Sequence, residues 1–410
     1  MSMSLSYRVS IESTVVGIVS IYAFLQLLFY FGGLESTILY IFPVALVPVF
    51  FLLRALSNEP LEFERASLLL MLTSSVLFVA SIPRQPYPDF YDHTKYLMAF
   101  FFYFMGVNSH LQSGLNALKN ARFLLIGLPI FLLIFYWFVL GGGGYYFGSV
   151  TFIANRNNLS GVLMAIALAM CITTNRRGVP YLLIPVLMSV GTLGAVVGLL
   201  GGFALALVRR PLFLLVAALS LAALLYLSVL LDLSFLTRIK GAAAILIEIS
   251  KVNFYDTLVS MDFAEAAELA GGNHYDASIF WRLKQWLDIV LEMLANPLQL
   301  FLGFGFSASE TVTFSEKLPH NDWLRILFEG GILSFFLFSI MVLVGLSDVK
   351  QLGRDAYVLA LGVFIFMLSE NLINNFLFSF VLFFALGLAR QKVHQRPAAS
   401  EQVALVERTQ

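Results

Sequence analysis

Three places in this chain hold residues able to move a proton or grip an anion. The first is residues 303–331, GFGFSASETVTFSEKLPHNDWLRILFEGG. A glycine pair, Gly303 and Gly305, is followed by a short polar stretch. His320-Asn321-Asp322 then runs directly into Trp323-Leu324-Arg325-Ile326-Leu327-Phe328-Glu329 and Gly330-Gly331. Pro319 cannot continue a preceding helix, and Asn321 or Asp322 supplies an N-cap for the next one. His320 is thereby placed at a helix N-terminus, whose positive end attracts anions. A histidine beside an anion site is what a general base working next to a phosphorylated substrate needs. The competing reading is that His320 caps or packs at a membrane boundary, and the motif alone leaves the two level.

The second place is Asn155-Arg156-Asn157-Asn158, where three amides flank a guanidinium at the edge of an apolar run. Arg156 offers a planar five-donor fork suited to phosphate or carboxylate, and it suits equally an interfacial arginine reaching for lipid headgroups. The third is Arg282, between Phe280-Trp281 and Trp286. Aromatic flanks could hold its guanidinium flat by stacking; the alternative is a surface pair with Asp288 or Asp276. Arg238 stands two residues from Lys240 and reads as half of a juxtamembrane basic pair. Arg325 and Glu329 are four apart on one helix face and are expected to pair with each other. Glu370-Asn371, with Asn374 and Asn375, interrupts the last apolar region. A carboxylate at that depth is a functional candidate, though a turn between two spans accounts for it more simply. His110 and His394 fall on the inner side, and His93 and His274 face outward without a neighbouring motif. There is no HExxH, no carboxylate cluster with metal spacing, no P-loop and no dinucleotide fingerprint, so the reading assigns no metal and no cofactor.

These residues sit on a chain of 410 residues that is 59% hydrophobic and 12% charged, a composition outside the range of soluble domains. Its zero net charge argues against a nucleic-acid partner. The single cysteine, Cys171, lies in an apolar run, so there is no disulfide framework. Apolar runs long enough to cross a bilayer as helices recur at about twelve places: 14–33, 36–53, 67–83, 95–110, 123–140, 159–173, 180–193, 195–208, 211–231, 323–346, 356–370 and 372–389. The first has no cleavage pattern after it and reads as a retained span. The seventh and eighth are short and glycine-rich, either two crossings or a broken hairpin. Lys and Arg crowd the loops on one side, from Arg8 and Arg54 to Lys350 and Arg390. The opposite short loops hold only Arg84, Lys95 and Arg156. That asymmetry predicts both termini in the cytoplasm.

The predicted organisation is nine helices over 1–231, an outward-facing helical loop over 232–322, three further helices over 323–389, and a polar, mobile cytoplasmic tail over 390–410. Within the loop, 279–295 has helical apolar spacing with Pro297 just beyond it, 241–269 reads as helical, and Gly271-Gly272-Asn273 reads as a turn. No repeat relates the two halves, which weighs against a transporter.

The pattern Arg282…Trp286…Pro297…Gly303-Phe304-Gly305, then His320-Asn321-x-x-Leu324 and Glu329-x-Gly331, resembles the shared core of the O-antigen ligase and polymerase superfamily. So do Asn155-Arg156-Asn157 before a span and the large loop before the tenth, and the resemblance spans residues 150–390. It implies an all-α, GT-C-like integral membrane glycosyltransferase of the bacterial inner membrane with its site facing the periplasm. Such an enzyme moves a glycan from undecaprenyl diphosphate onto an acceptor hydroxyl, with inversion and without a metal. The acceptor is the lipid A core in a ligase and the next lipid-linked repeat in a polymerase. Carried over by position, His320 is the acceptor-side base and Arg282 a diphosphate clamp; either Arg156 supplies the second positive charge on the diphosphate or the chain is not a typical ligase. Asn321, Asn155, Asn158, Glu329, Gly303 and Gly305 support them. One departure stands out. Ligases of this family usually carry an arginine, in Ser-Arg-Gly, at the turn between the seventh and eighth spans; here it reads Gly191-Thr192-Leu193-Gly194. Ligase is the first expectation, polymerase the alternative, and a transporter of polyprenyl-linked glycan or small solutes the alternative of another class.

Overall fold

The computed structural model describes residues 17–18, 38–57, 61–82, 90–122, 156–174, 177–190, 192–207, 234–251, 254–269, 278–313 and 319–409. Among the described residues every regular element is a helix. They are α1 Ile38–Ser57, α2 Arg65–Ser81, α3 Phe90–Asn108, α4 Leu111–Arg122, α5 Arg156–Thr174, α6 Val179–Val190 and α7 Leu193–Leu207. The loop region contributes α8 Ser234–Lys251, α9 Phe254–Ser260, α10 Phe263–Leu269, α11 Ser278–Ala295, α12 Pro297–Leu302 and α13 Ser309–Val312. The chain ends with α14 Asp322–Leu352, α15 Arg354–Phe366 and α16 Phe376–Thr409.

Three of these are long and apolar enough to cross a membrane: Asn157–Thr174, Asp322–Leu352 and Phe376–Gln395. Leu46–Leu56, Arg65–Ser81, Val179–Met188 and Leu193–Leu207 are apolar but shorter. The structure therefore carries a helical membrane protein with three such spans among its described residues, a coarser picture than twelve. The expected spans 123–140 and 211–231, all of 14–33 except 17–18, and the turn at 271–273 lie outside the described residues.

Close backbone approach sets the packing. A Cβ on Gly202 of α7 would stand 2.4 Å from the Val358 carbonyl of α15, and one on Gly198 2.7 Å from the Gly362 carbonyl. The α3–α16 pair meets in the same way at Gly106 and Gly387, where a Cβ would come within 2.3 Å of the Phe384 carbonyl and 2.4 Å of the Tyr103 carbonyl. Small residues spaced by one turn let apolar helices approach where no water drives them together.

Helix α14 packs on α2, and the last turn of α2 joins the loop that follows α12: the Phe306 N–H donates to Ser81 Oγ at 2.8 Å. That loop also rides on a break in α14. Gly331 has φ 69° and ψ −177°, outside the helical region. In the interrupted turn the carbonyls of Phe328 and Glu329 accept the N–H groups of Phe304 and Gly305, each at 2.8 Å. The two backbones touch so closely that Gly303 and Gly331 are required: a Cβ on either would lie 2.3 Å from the other segment's carbonyl oxygen. Gly303 and Gly305 have φ of 92° and 87°, a region that glycine adopts freely.

Two expectations change in detail. Pro297 does more than end the helix before it: it opens α12, with Asn296 between the two. The polar stretch from 391 onward, expected to be mobile, continues α16. Its first residues are tied down, Gln391 Nε2 to the Ser109 carbonyl at 2.6 Å and Lys392 Nζ to the Ile172 carbonyl at 2.7 Å.

Candidate functional site

Asn321 is the N-cap of α14, its Oδ1 accepting the Leu324 N–H at 2.9 Å. That cap fixes where the helix starts and hence where His320, the residue before it, points. Asp322 caps a different segment. Its Oδ2 accepts the N–H groups of Leu372 and Ile373 at 2.7 and 3.2 Å, while its own N–H donates to the Met367 and Glu370 carbonyls. The first turn of α14 thus folds the 367–375 turn around itself. One helical turn on, Arg325 and Glu329 are fully buried and paired, Nε to Oε1 at 2.9 Å, as their spacing foretells. Arg325 Nη1 also reaches Asn374 Oδ1 at 2.8 Å, and Glu329 Oε1 accepts the Ser307 N–H at 3.1 Å. Asp322 and Arg325 of α14 therefore clamp the 367–375 turn, and Glu329, paired with Arg325, ties in the 303–308 loop.

The turn so held presents Glu370, whose carboxylate is only 6% exposed. Its Oε1 accepts Arg282 Nη2 of α11 at 2.5 Å and Asn157 Nδ2 of α5 at 2.6 Å. Its Oε2 faces His320 Nδ1 at 3.4 Å, a little beyond a well-made hydrogen bond. Nδ1 is buried and makes no hydrogen bond among the described residues, yet the imidazole as a whole is 41% exposed. The open edge is the Nε2 edge. Trp281 stands edge-on to the imidazole with ring centres 5.5 Å apart and interplanar angle 74°, a second restraint on the ring.

Side chains from three separate segments thus meet at a carboxylate carried by a fourth. Arg282 and His320 both face Glu370, a residue whose sequence setting reads as a turn. Arg282 pairs with Glu370 and not with Asp288; Asp276 lies outside the described residues. Trp281 spends its ring on His320. Arg156 opens α5, one residue before the amide that touches Glu370, while Asn155 lies outside the described residues and Asn158 is half-buried in α5. Arg238 lies within α8. Gly303, Gly305 and Glu329 act as supports of the 303–308 loop. The start of α7 adjoins the site: Ser160 Oγ donates to Thr192 Oγ1 at 2.9 Å, and a Cβ on Gly194 would lie 2.6 Å from Ser369 Oγ, next to Glu370.

An exposed imidazole nitrogen backed by a carboxylate can accept a proton and be stabilised once charged. A guanidinium with one nitrogen engaged keeps further donors for an anion. Among the described residues no group of three or more His, Cys, Asp or Glu side chains is arranged to hold a metal ion. Glu370 could have been found from the cost of burying a carboxylate in an apolar region; its partners, 88 and 213 residues away, left no local trace. Comparison with models of known protein families and with curated proteins finds no match for this chain.

Proposed function

We propose that the chain is an integral membrane glycosyltransferase that moves a glycan from undecaprenyl diphosphate onto an acceptor sugar hydroxyl. The observation that carries this reading is the meeting of His320, Arg282 and Asn157 on Glu370, at the end of the bundle where α5 and α14 begin. In the proposed step the acceptor hydroxyl gives its proton to His320 Nε2 as its oxygen attacks the anomeric carbon. The bond from that carbon to the diphosphate breaks, the configuration inverts, and undecaprenyl diphosphate leaves with the bonding pair. Glu370 steadies the ring through Nδ1 and offsets the imidazolium charge. Arg282 offers its remaining N–H donors to the diphosphate, whose charge rises as the bond breaks. Diphosphate is a good leaving group, so positioning and one base suffice. A transporter reading gains little, since these polar groups gather at one end of the bundle.

Within this reading the acceptor is the lipid A core, as in a ligase of lipopolysaccharide assembly; the alternative is a lipid-linked repeat, as in a polymerase. Leu193, the first residue of α7 and neighbour of Gly194, which packs against Ser369, stands where a ligase usually carries arginine, and this favours keeping the polymerase in view. His320→Ala is expected to abolish transfer, by on the order of 10²–10⁴-fold, with membrane abundance unchanged. Normal transfer per folded molecule would overturn the reading. Gene deletion separates the two acceptors on a lipopolysaccharide gel. Bare core with polymer left on the lipid carrier is the expected outcome, and core bearing a single repeat would assign the polymerase.

A further inference from the structure

At the opposite end of the bundle, where α1, α3 and α5 finish and α2 starts, lies a cleft of about 760 Å³. Arg54, Arg65, Arg390, Glu64, His110 and His394 are among the side chains that line it. Its charges divide into two sets. Arg390 is committed: it binds Glu64 Oε1 through Nε and Nη2 at 2.9 and 2.6 Å, and Asp348 Oδ1 through Nη1 at 2.9 Å. Glu64 is committed too, because its Oε2 also caps α2 by accepting the Ala66 N–H at 2.8 Å. These three form a closed, structural network, and Glu62, the remaining carboxylate of the cleft, is exposed at its rim.

The second set is cationic. Arg54 closes the last turn of α1 and is only 4% exposed, with its guanidinium 5.7 Å from the centre of the Phe50 ring, yet it lines the cleft. Arg65 is exposed in the first turn of α2 and belongs to no ion pair among the described residues. The flank beside them is oily: Leu52 is 60% exposed, Leu56 73% and Phe63 58%, and Phe63 itself lines the cleft. Two arginines outside the Arg390 network, beside an exposed apolar strip at one end of the bundle, have the two-part character of an amphiphile's complement.

The geometry points to a binding site for a phosphate-bearing headgroup, that of an anionic phospholipid, with Arg54 and Arg65 on the phosphate and the acyl chains along Leu52, Leu56 and Phe63. Basic pockets between membrane helices recognise such headgroups by charge, and the adjoining chains supply the apolar contact. Nothing in this inference depends on the chemistry at His320.

The test uses the full chain purified in detergent, with bound lipid read by native mass spectrometry and melting temperature read in parallel. Phosphatidylglycerol is expected to be retained over phosphatidylcholine and to raise the melting temperature. Arg54→Gln with Arg65→Gln is expected to weaken retention by about fivefold per arginine removed. Because Arg54 is buried, Arg65→Gln alone, at an exposed position, keeps the test valid should the double variant fold poorly. Equal retention of the two lipids, or retention unchanged in Arg65→Gln, would overturn the proposal. Inorganic phosphate is the other arm: if it alone matches the stabilisation by phosphatidylglycerol and loses it in the same variants, the ligand is a soluble phosphate and the lipid assignment falls.

Discussion

Glu370 carries more contacts to distant parts of the chain than its setting in a short turn suggests, and its removal tests the site more sharply than that of any other side chain. Replacing one carboxylate oxygen by an amide in Glu370→Gln keeps the volume. It removes the charge that offsets Arg282 and the acceptor that faces His320 Nδ1. In a Ser-His-Asp site the corresponding exchange costs about 10⁴-fold in turnover, through loss of ring orientation, and a fall of roughly 10²–10⁴-fold in transfer is expected here on that basis. Folding should suffer less, by about 2 kcal/mol, since Arg282 keeps some solvent access. Turnover and detergent melting, measured on one preparation, check both halves. An activity loss no larger than the loss of folded protein would reduce Glu370 to a structural role. Arg282→Lys is the companion experiment. A lysine can keep the ion pair with Glu370 but cannot present a planar fork to a diphosphate as well. Transfer is expected to drop at least tenfold, roughly 1.4 kcal/mol, while the melting temperature stays near that of the wild type. Full activity in the lysine variant would remove bidentate recognition from the scheme.

Among the elements, α14 is the organiser, and its break at Gly331 is the place to probe. A Cβ there would sit 2.3 Å from the Phe301 carbonyl oxygen, at φ 69°. Gly331→Ala is therefore expected to cost about 3–5 kcal/mol or to prevent folding. Gly345→Ala, farther along the same helix, would place its Cβ at 3.6 Å from Leu386, an ordinary contact. That change is expected to leave stability within about 1 kcal/mol of the parent. Detergent melting of the two variants decides the point, and equal stabilities would show that the crossing tolerates a side chain. The same helix shows what could be read in advance. The cap at Asn321 and the Arg325–Glu329 pair follow from spacings of three and four residues, the range over which a helix makes neighbours. The glycine pairs are visible as a pattern, but which backbone each must admit is a tertiary fact. Likewise the neighbouring sequence offers Arg282 the carboxylates of Asp276 and Asp288, while its partner Glu370 lies 88 residues away. Local rules could say that Glu370 lies in a turn; they could not say what the turn is folded against.

For the whole molecule, the ends of the bundle differ in character. The end at which α5 and α14 begin bears Glu370 and its partners. The other bears Arg54, Arg65, Lys350, Arg354 and Arg390, in keeping with a cytoplasmic face under the positive-inside rule. Single cysteines at Ser260 and Gln395, both exposed, in a Cys171→Ser background give the test. With an impermeant maleimide on intact spheroplasts, Ser260→Cys is expected to label at once and Gln395→Cys only after lysis. The reverse order would invert the orientation and move the proposed chemistry to the wrong compartment. Ser307 would serve poorly as a reporter, being buried at φ 56°. The crossing of Gly303 and Gly331 also has a mechanical meaning. It rivets α12 to the bundle, and α11 is seated beside it: Ile289 and Met293 share a buried cluster with Phe304 and Phe328, and the Asn296 side chain braces the elbow against the Glu292 carbonyl and carboxylate. Arg282 stands 14 residues out along that helix, roughly 21 Å at the helical rise. A tilt of about ten degrees at the elbow would carry its Cα roughly 4 Å, more than the 2.5 Å that joins it to Glu370. Small rotations at the elbow are thereby magnified at Arg282, and its link to Glu370 holds the far half of α11 in register as the buried Ile289 and Met293 hold the near half.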